Sequence, residues 1–316
     1  MKHLISCKRW RLLSTITVTV LLNVISVSTT SAQELSAVQL ETTKLSDRIY
    51  MLEPMPPMAG NLAVSAGEDG IILVDDQMMP LTPKIQAAIA EIQKGAIAFV
   101  INTHYHFDHA GGNEAFGGES TIVAHSNVRK RLKEGREAGS RFIEGTRPSE
   151  ALPVITFDES VTFHWNGEEV DVIHFPDPSH TDGDSVIFFR GSNVIHTGDQ
   201  YVNVGGYPYI DQDVGGTAHG LRNNIAKLLK IIDDDTKIIP GHGPLARKAD
   251  MQWFYDLVDE TIGYIEAEKR AGKTLEEIQS SGLPKKFEAV GKAGFIPEAF
   301  WIQSVFASIG TQTKGS

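Results

Sequence analysis

The chain has 316 residues, 41% of them hydrophobic, and a formal net charge of −11. That length accommodates one large domain with a full core, and the acidic balance argues against nucleic acid or an anionic membrane surface as partner. The single cysteine, Cys7, leaves no possibility of an internal disulfide framework.

Residues 1–32 read as an export signal. Lys2, Lys8, Arg9 and Arg11 precede an apolar, charge-free run over 12–27, and Thr30, Ser31 and Ala32 form a small-residue cleavage site before Gln33. The run is shorter than the ~20 apolar residues of a spanning helix and contains Ser, Thr and Asn, so a membrane anchor is the weaker reading. The expectation is a periplasmic or secreted protein, not membrane-bound once the signal is cleaved, with one domain over 33–316. Its oligomeric state stays open.

Strands are expected at 38–43 and 48–52 around a polar turn. Pro54, Pro56 and Pro57 then keep 53–60 out of strand and helix interiors, and Met55 and Met58 there are adaptable apolar groups. This segment reads either as a surface loop or as a flap over a binding site, with both methionines as candidate substrate contacts. Strands at 61–65 and 70–74 flank the turn signal Glu68-Asp69-Gly70, and Asp75-Asp76 follows. Apolar spacing predicts a helix over 82–92, capped by Thr82.

The apolar run 96–101 reads as a buried strand, and it delivers His104, His106, Asp108 and His109 ahead of Gly111-Gly112. In extended backbone His104, His106 and Asp108 share one face while His109 breaks the parity, an array suited to two adjacent cations. Imidazole and carboxylate suit zinc, iron or manganese, and no thiolate narrows the choice.

A short helix at 113–116, a strand at 121–124 and a helix from Ser126, its cap, to about 132 come next. The charged, aperiodic stretch 134–153 reads as a long exposed loop. Asn166-Gly167 is the strongest hairpin signal in the chain and separates strands at 161–165 and 169–175. Then come the polar cluster 178–184, with His180, and a hairpin of 185–189 and 193–196 that ends at Asp199. The glycine-bearing loop 200–216 carries Tyr201, Tyr207 and Tyr209 as candidate substrate contacts, joined by His219 at the start of an amphipathic helix over 217–232. Strand 237–239 runs into Pro240-Gly241-His242, and helices around 254–265 and 297–309 close the chain. His125, His164, His174 and His196, within or beside strands, are assigned to packing.

The polar clusters at 104–109, 180, 199 and 242 each follow a strand. The order of elements suggests an α/β (α+β) architecture of two packed sheets with helices on both outer faces, and strand ends along one edge would gather the clusters into one site.

These residues resemble the metallo-β-lactamase superfamily across essentially all of 33–316. Its His-x-His-x-Asp-His signature is met by His104, His106, Asp108 and His109, and its later His, acidic bridge and final His by His180, Asp199 and His242. The resemblance implies a four-layer αββα sandwich holding two divalent ions, most simply zinc. One would sit on His104, His106 and His180, the other on Asp108, His109 and His242, with Asp199 shared. Such a pair lowers the pKa of the water between them towards about 7 and supplies hydroxide to attack a carbonyl, with Asp108 also placed to orient it and move a proton. Ligand imidazoles give their second N–H to an acceptor, for which Asp75, Asp76, Asp182 and Asp184 are candidates.

Cysteine-ligand β-lactamases of the superfamily carry Cys where Asp199 stands, and its other β-lactamases lack the acidic bridge. Asp199 therefore makes the site look like those of glyoxalase II, lactonases and related thioesterases or phosphodiesterases. The expected function is dinuclear metal-dependent hydrolysis of a small lactone, thioester or amide. The alternatives are a periplasmic β-lactamase and a non-catalytic metal-binding accessory protein of a periplasmic oxidation pathway.

Overall fold

The structure is a computed structural model that describes residues 35–135 and 145–310; the expected export signal and part of the expected 134–153 loop lie outside them. The chain divides after Val38 into two units. The described part of the first is Leu35–Val38, a helical turn and one extended residue. The second, from Gln39, carries every element named below.

A seven-stranded sheet has the order β1-β2-β3-β4-β6-β7-β8. Its strands are β1 (Gln39–Lys44), β2 (Ile49–Met55), β3 (Leu62–Gly67), β4 (Gly70–Val74), β6 (Ile97–Ile101), β7 (Thr121–His125) and β8 (Ile155–Phe157), with β5 (Gln77–Met78) bridging to Ala110 and Gly111. Short connections make β1 to β4 antiparallel. The helix α1 (Thr82–Ile92) supplies the crossover that lets β6 lie parallel to β4. The second sheet runs β13-β12-β11-β10-β9, built from β9 (Ser160–Trp165), β10 (Glu168–His174), β11 (Ser185–Phe189), β12 (Val194–His196) and β13 (Lys237–Ile239). Asn166 and Gly167 take φ of 52° and 75°, the left-handed pair a two-residue hairpin turn requires. Helix α5 (Ala218–Ile231) carries the chain from β12 to its parallel neighbour β13.

The sheets pack through Met51, Val74, Ile101 and Val123 on one side and Val172, Ile187, Phe189 and Ile239 on the other. Alternate residues of β11, Val186 and Phe188, face a second core formed with Leu221 and Ile225 of α5, Phe254 and Val258 of α6 (Lys248–Arg270), and Trp301 of α8 (Glu298–Ser308). Covered on both faces, β11 reads in sequence as an unbroken apolar run. On the far side of the first sheet, Ala124 of β7 packs with Val128 and Leu132 of α4 (Ser126–Glu134). The result is two sheets flanked by helices. No helix among the described residues is long and apolar enough to cross a membrane.

Several local expectations change. A 3-10 turn at Met79–Leu81 makes Leu81 the N-cap of α1, and the Thr82 hydroxyl donates to Met79 O. His125, not Ser126, caps α4, its Nδ1 accepting from Asn127 N. The described end of the 134–153 stretch is not all exposed, for Ala151 and Leu152 are buried. Strand β8 was too short for a periodic signal. Helix α7 (Leu275–Ser281) does announce itself, through the capping box of Thr274 and Glu277.

Candidate metal centre

Beyond β6 the backbone turns through 102–106 into the helical turn α2 (Phe107–Ala110), which His106 caps. The extended parity expected through Asp108 therefore stops at His106. His104 and His106 converge with His180 from the β10–β11 loop, while Asp108 and His109, carried by α2, converge with His242 from beyond β13. Asp199, just after β12, forms a third group with His104 and His109. The Asp199 carboxylate spans the two sets, with Oδ2 3.5 Å from His180 and Oδ1 3.1 Å from His109.

In the first group His106 Nδ1 lies 2.9 Å from His180 Nε2 and 3.1 Å from His104 Nε2. The neighbours dictate which nitrogens carry protons. His106 Nε2–H donates to Asp211 (2.9 Å), and His180 Nδ1–H donates to the Tyr209 carbonyl (2.8 Å). The Thr103 hydroxyl gives its one proton to Asp75 (2.8 Å), so it accepts from His104 Nδ1–H (3.0 Å). Each ring thus turns an unprotonated nitrogen inwards. Three lone pairs so close repel one another unless a cation lies among them, and the donor set fits zinc. Burial, then the surrounding imidazoles, holds His104 well below the usual histidine range, and burial also lowers His106.

The second group is governed by carboxylates. His109 Nε2 lies 3.2 Å from His242 Nε2, which is 3.3 Å from Asp108 Oδ2. Burial opposes protonation of His109, but Asp199, Asp108 and Asp75 outweigh it and raise its pKa well above the ordinary value. His242 is likewise pushed up to about 9, burial being overcome by Asp199 and Asp108. In return Asp108 and Asp199 are held below the usual carboxylate range despite burial, chiefly by His109 and His242.

Asp75 serves both groups, accepting from His109 Nδ1 (2.8 Å) and, through Thr103, steadying His104. It does so at φ 58°, a left-handed conformation that costs a non-glycine residue on the order of 1 kcal/mol. Gly241 brings the β13 turn against the shared carboxylate, where any Cβ would overlap Asp199 Oδ1.

A cavity of about 720 Å³ opens over this centre, with His106, Asp108, His180, Asp199 and His242 in its floor. Above the floor it is lined by Pro56, Pro57, Met58 and Phe107 and by Val202, Val204, Tyr207, Tyr209, Phe295 and Ile296.

Residues 57–242 match the description of the metallo-beta-lactamase superfamily. The chain belongs to that superfamily. A hydroxyacylglutathione hydrolase of Pelagibacter ubique is 24% identical over 150 residues, 46% of this chain and 52% of the relative, so the chain spans about half the length of that curated protein. Among solved structures, a metallo-beta-lactamase from Pontibacter korlensis aligns with a TM-score of 0.54 at 20% identity, over 70% of this chain and 99% of that one. A double mutant of the sec-alkyl sulfatase PisA1 aligns at 0.65 and 16% identity, over 90% of this chain and 52% of that one. These likenesses establish the metallo-beta-lactamase fold.

Within that fold the expected ligand residues all come together at one end of the sandwich. The expected substrate contacts divide. Met58, Tyr207 and Tyr209 line the cavity, and Met55, Tyr201 and His219 do not. Met55 ends β2 facing solvent; Tyr201 packs edge-on to Phe254 at 5.2 Å in the helix-side core; His219 donates from Nε2 to Glu266 beside a separate cavity of about 340 Å³ at the start of α5. Of the aspartates offered as acceptors, only Asp75 takes a ligand imidazole. Asp76 holds the Gly112 N–H, Asp182 pairs with Arg131, and Asp184 braces the His180 loop through Ser179 and Thr181. Asp211 was missed, as was the Tyr209 carbonyl, because neither a lone loop aspartate nor a backbone oxygen leaves a pattern. His164 is exposed beside Glu169, against the packing expected of it, whereas His125 stacks on His174 at 3.8 Å and His196 donates to Asn61 O.

Proposed function

We propose that this superfamily member is a dinuclear metallohydrolase, with zinc as its expected metal, acting on a small carbonyl compound such as a lactone, thioester or amide. The observation that carries the reading is the pair of ligand groups joined through Asp199 at the floor of an open cavity. Two divalent cations held there would supply Lewis acidity and a nucleophilic water at neutral pH. His104, His106 and His180 would hold one, Asp108, His109 and His242 the other, and Asp199 both. Asp108 is held ionised and lines the cavity, so its Oδ2 can accept a proton from the attacking water and return it to the leaving group. The apolar walls limit competing water around the carbonyl.

Metal content and turnover of short lactones, thioesters and nitrocefin, measured for the wild type, Asp108→Ala and His242→Ala, test the proposal. Both variants are expected to lose metal and activity together. Unchanged turnover in both overturns the reading, and nitrocefin as the only substrate would replace it with a β-lactamase. We also propose export with removal of residues 1–32, supported by the composition of that segment; the mass of the protein in a periplasmic extract is expected to begin at Gln33.

A further inference from the structure

Among the described residues, the only polar side chains lining the cavity apart from the ligand residues are Tyr207 and Tyr209, and the Tyr207 hydroxyl is turned to Glu298 at 3.4 Å. Among the described residues that line it there is neither Lys nor Arg. A carboxylate or phosphate lying against the apolar walls, away from the ligand groups on the floor, would lose water with no cationic side chain to receive it, which is unfavourable. The apolar surface does not stop at the mouth. Met58 and Phe107 are 37% and 39% exposed and Phe295 is 73% exposed, so the walls run outwards as an apolar rim.

The outer wall is held in place. A Cβ at Gly206 would lie 2.6 Å from Ala293 O and 2.9 Å from Gly294 Cα, so the backbone leading to Phe295 rests directly on the tyrosine-bearing loop. Glu298 adds a second anchor by accepting from Leu283 N (3.0 Å). Phe295 and Ile296 also lie outside residues 57–242, so this wall is supplied by the chain beyond the stretch that matches the superfamily.

We infer that the substrate of this site carries an uncharged apolar tail, an alkyl or aryl chain that leaves the reacting carbonyl over the ligand groups and lies between Met58 and Phe107 on one side and Phe295 and Ile296 on the other. The inference rests on the hydrolase reading and names its substrate class. Each methylene buried between these walls strengthens binding by about fourfold.

The test uses the metal-loaded protein and a series of γ-lactones from the unsubstituted ring to long alkyl chains, with ω-carboxylate versions of the longer members. kcat/KM is expected to climb by about fourfold per methylene over the first several carbons and to fall back to the short-lactone value when the tail ends in a carboxylate. Phe295→Asp, a change at an exposed position, is expected to flatten the climb. A calorimetric series with uncharged 2-alkanones on the same protein reads tail binding without turnover. Lactone hydrolysis indifferent to chain length, a preference for the ω-carboxylate, or a flat alkanone series overturns the inference. A rising alkanone series with no lactone, thioester or amide hydrolysed supports the apolar-tail site and overturns the hydrolase reading instead.

Discussion

The two ligand groups of this centre share Asp199 yet differ in what surrounds them. The first is three imidazoles whose outward N–H groups are taken by Asp211, the Tyr209 carbonyl and Thr103. Burial keeps protons off His104 and His106, so a cation enters without displacing any from them. In the second, Asp108 and Asp199 draw protons onto His109 and His242. Carboxylates that make a site attractive to a cation also make it attractive to protons, and the two compete.

Removing the shared group has the largest expected effect. Asp199→Ala is expected to reduce bound metal from two ions towards one and to lower turnover on the order of 10³-fold, since several kcal/mol of charge stabilisation goes with the lost cation. Native mass spectrometry and steady-state kinetics read the two quantities, and a variant that keeps both ions would erase the bridging role.

The outer partners divide the groups next. Asp75→Asn is expected to weaken both metal-binding steps by about 10–100-fold, and Asp211→Asn to weaken the first group's step alone by a similar factor. Titration against a chelating dye resolves the steps. Equal losses in both steps for Asp211→Asn would mean that the groups are not separable.

Proton competition comes third. His242 titrates at about 9 in the metal-free protein, so below that pH it must release a proton before it can bind. His109 is raised as well, so with two imidazoles releasing protons the second step is expected to weaken about a hundredfold for each pH unit lost between about pH 8 and about pH 6, with the first step nearly level. Calorimetry in buffers of different ionisation enthalpy counts the released protons, and equal pH slopes for the two steps would contradict the contrast.

The smallest effect isolates burial without ligation. His125 is lowered to about 4 by burial and by its stacked neighbour His174. The unfolded chain binds a proton at about 6.5 that the folded one refuses until about 4, so this contribution to stability is full above pH 6.5 and is lost as pH falls. In His125→Asn, which keeps a side-chain acceptor for the cap, the denaturation midpoint is expected to depend less on pH in that window. An unchanged dependence would assign the slope to other groups.

The ligand residues were legible because each stands directly after or between strands that apolar runs make plain, and because His104 to His109 lie within six residues. Their division into groups was legible from the family resemblance but not from backbone parity. Parity sets Asp108 with His104 and His106, whereas the switch from extended backbone to the turn α2 places it with His109 and His242, as the resemblance implies. The tyrosines of the 200–216 loop show the same limit, for its fold-back buries both Tyr201 and Tyr207 in the helix-side core, while Tyr207 and Tyr209 also border the cavity.

What the sequence by itself determined is the chemistry and its scaffold: imidazole and carboxylate at strand ends, two sheets from period-two and continuous apolar runs, helices from the 3.6 period. Only the tertiary structure decided which nitrogen of each ligand faces inwards, that Asp75 and Asp211 hold those rings, and that the cavity above them is apolar. Local periodicity reports which face of an element is buried. It carries no information about which distant loop supplies a hydrogen-bond acceptor or a wall, because those contacts join residues far beyond one element's period, from His109 with Asp75 to Tyr105 with Asp211 and Asn61 with Gly243.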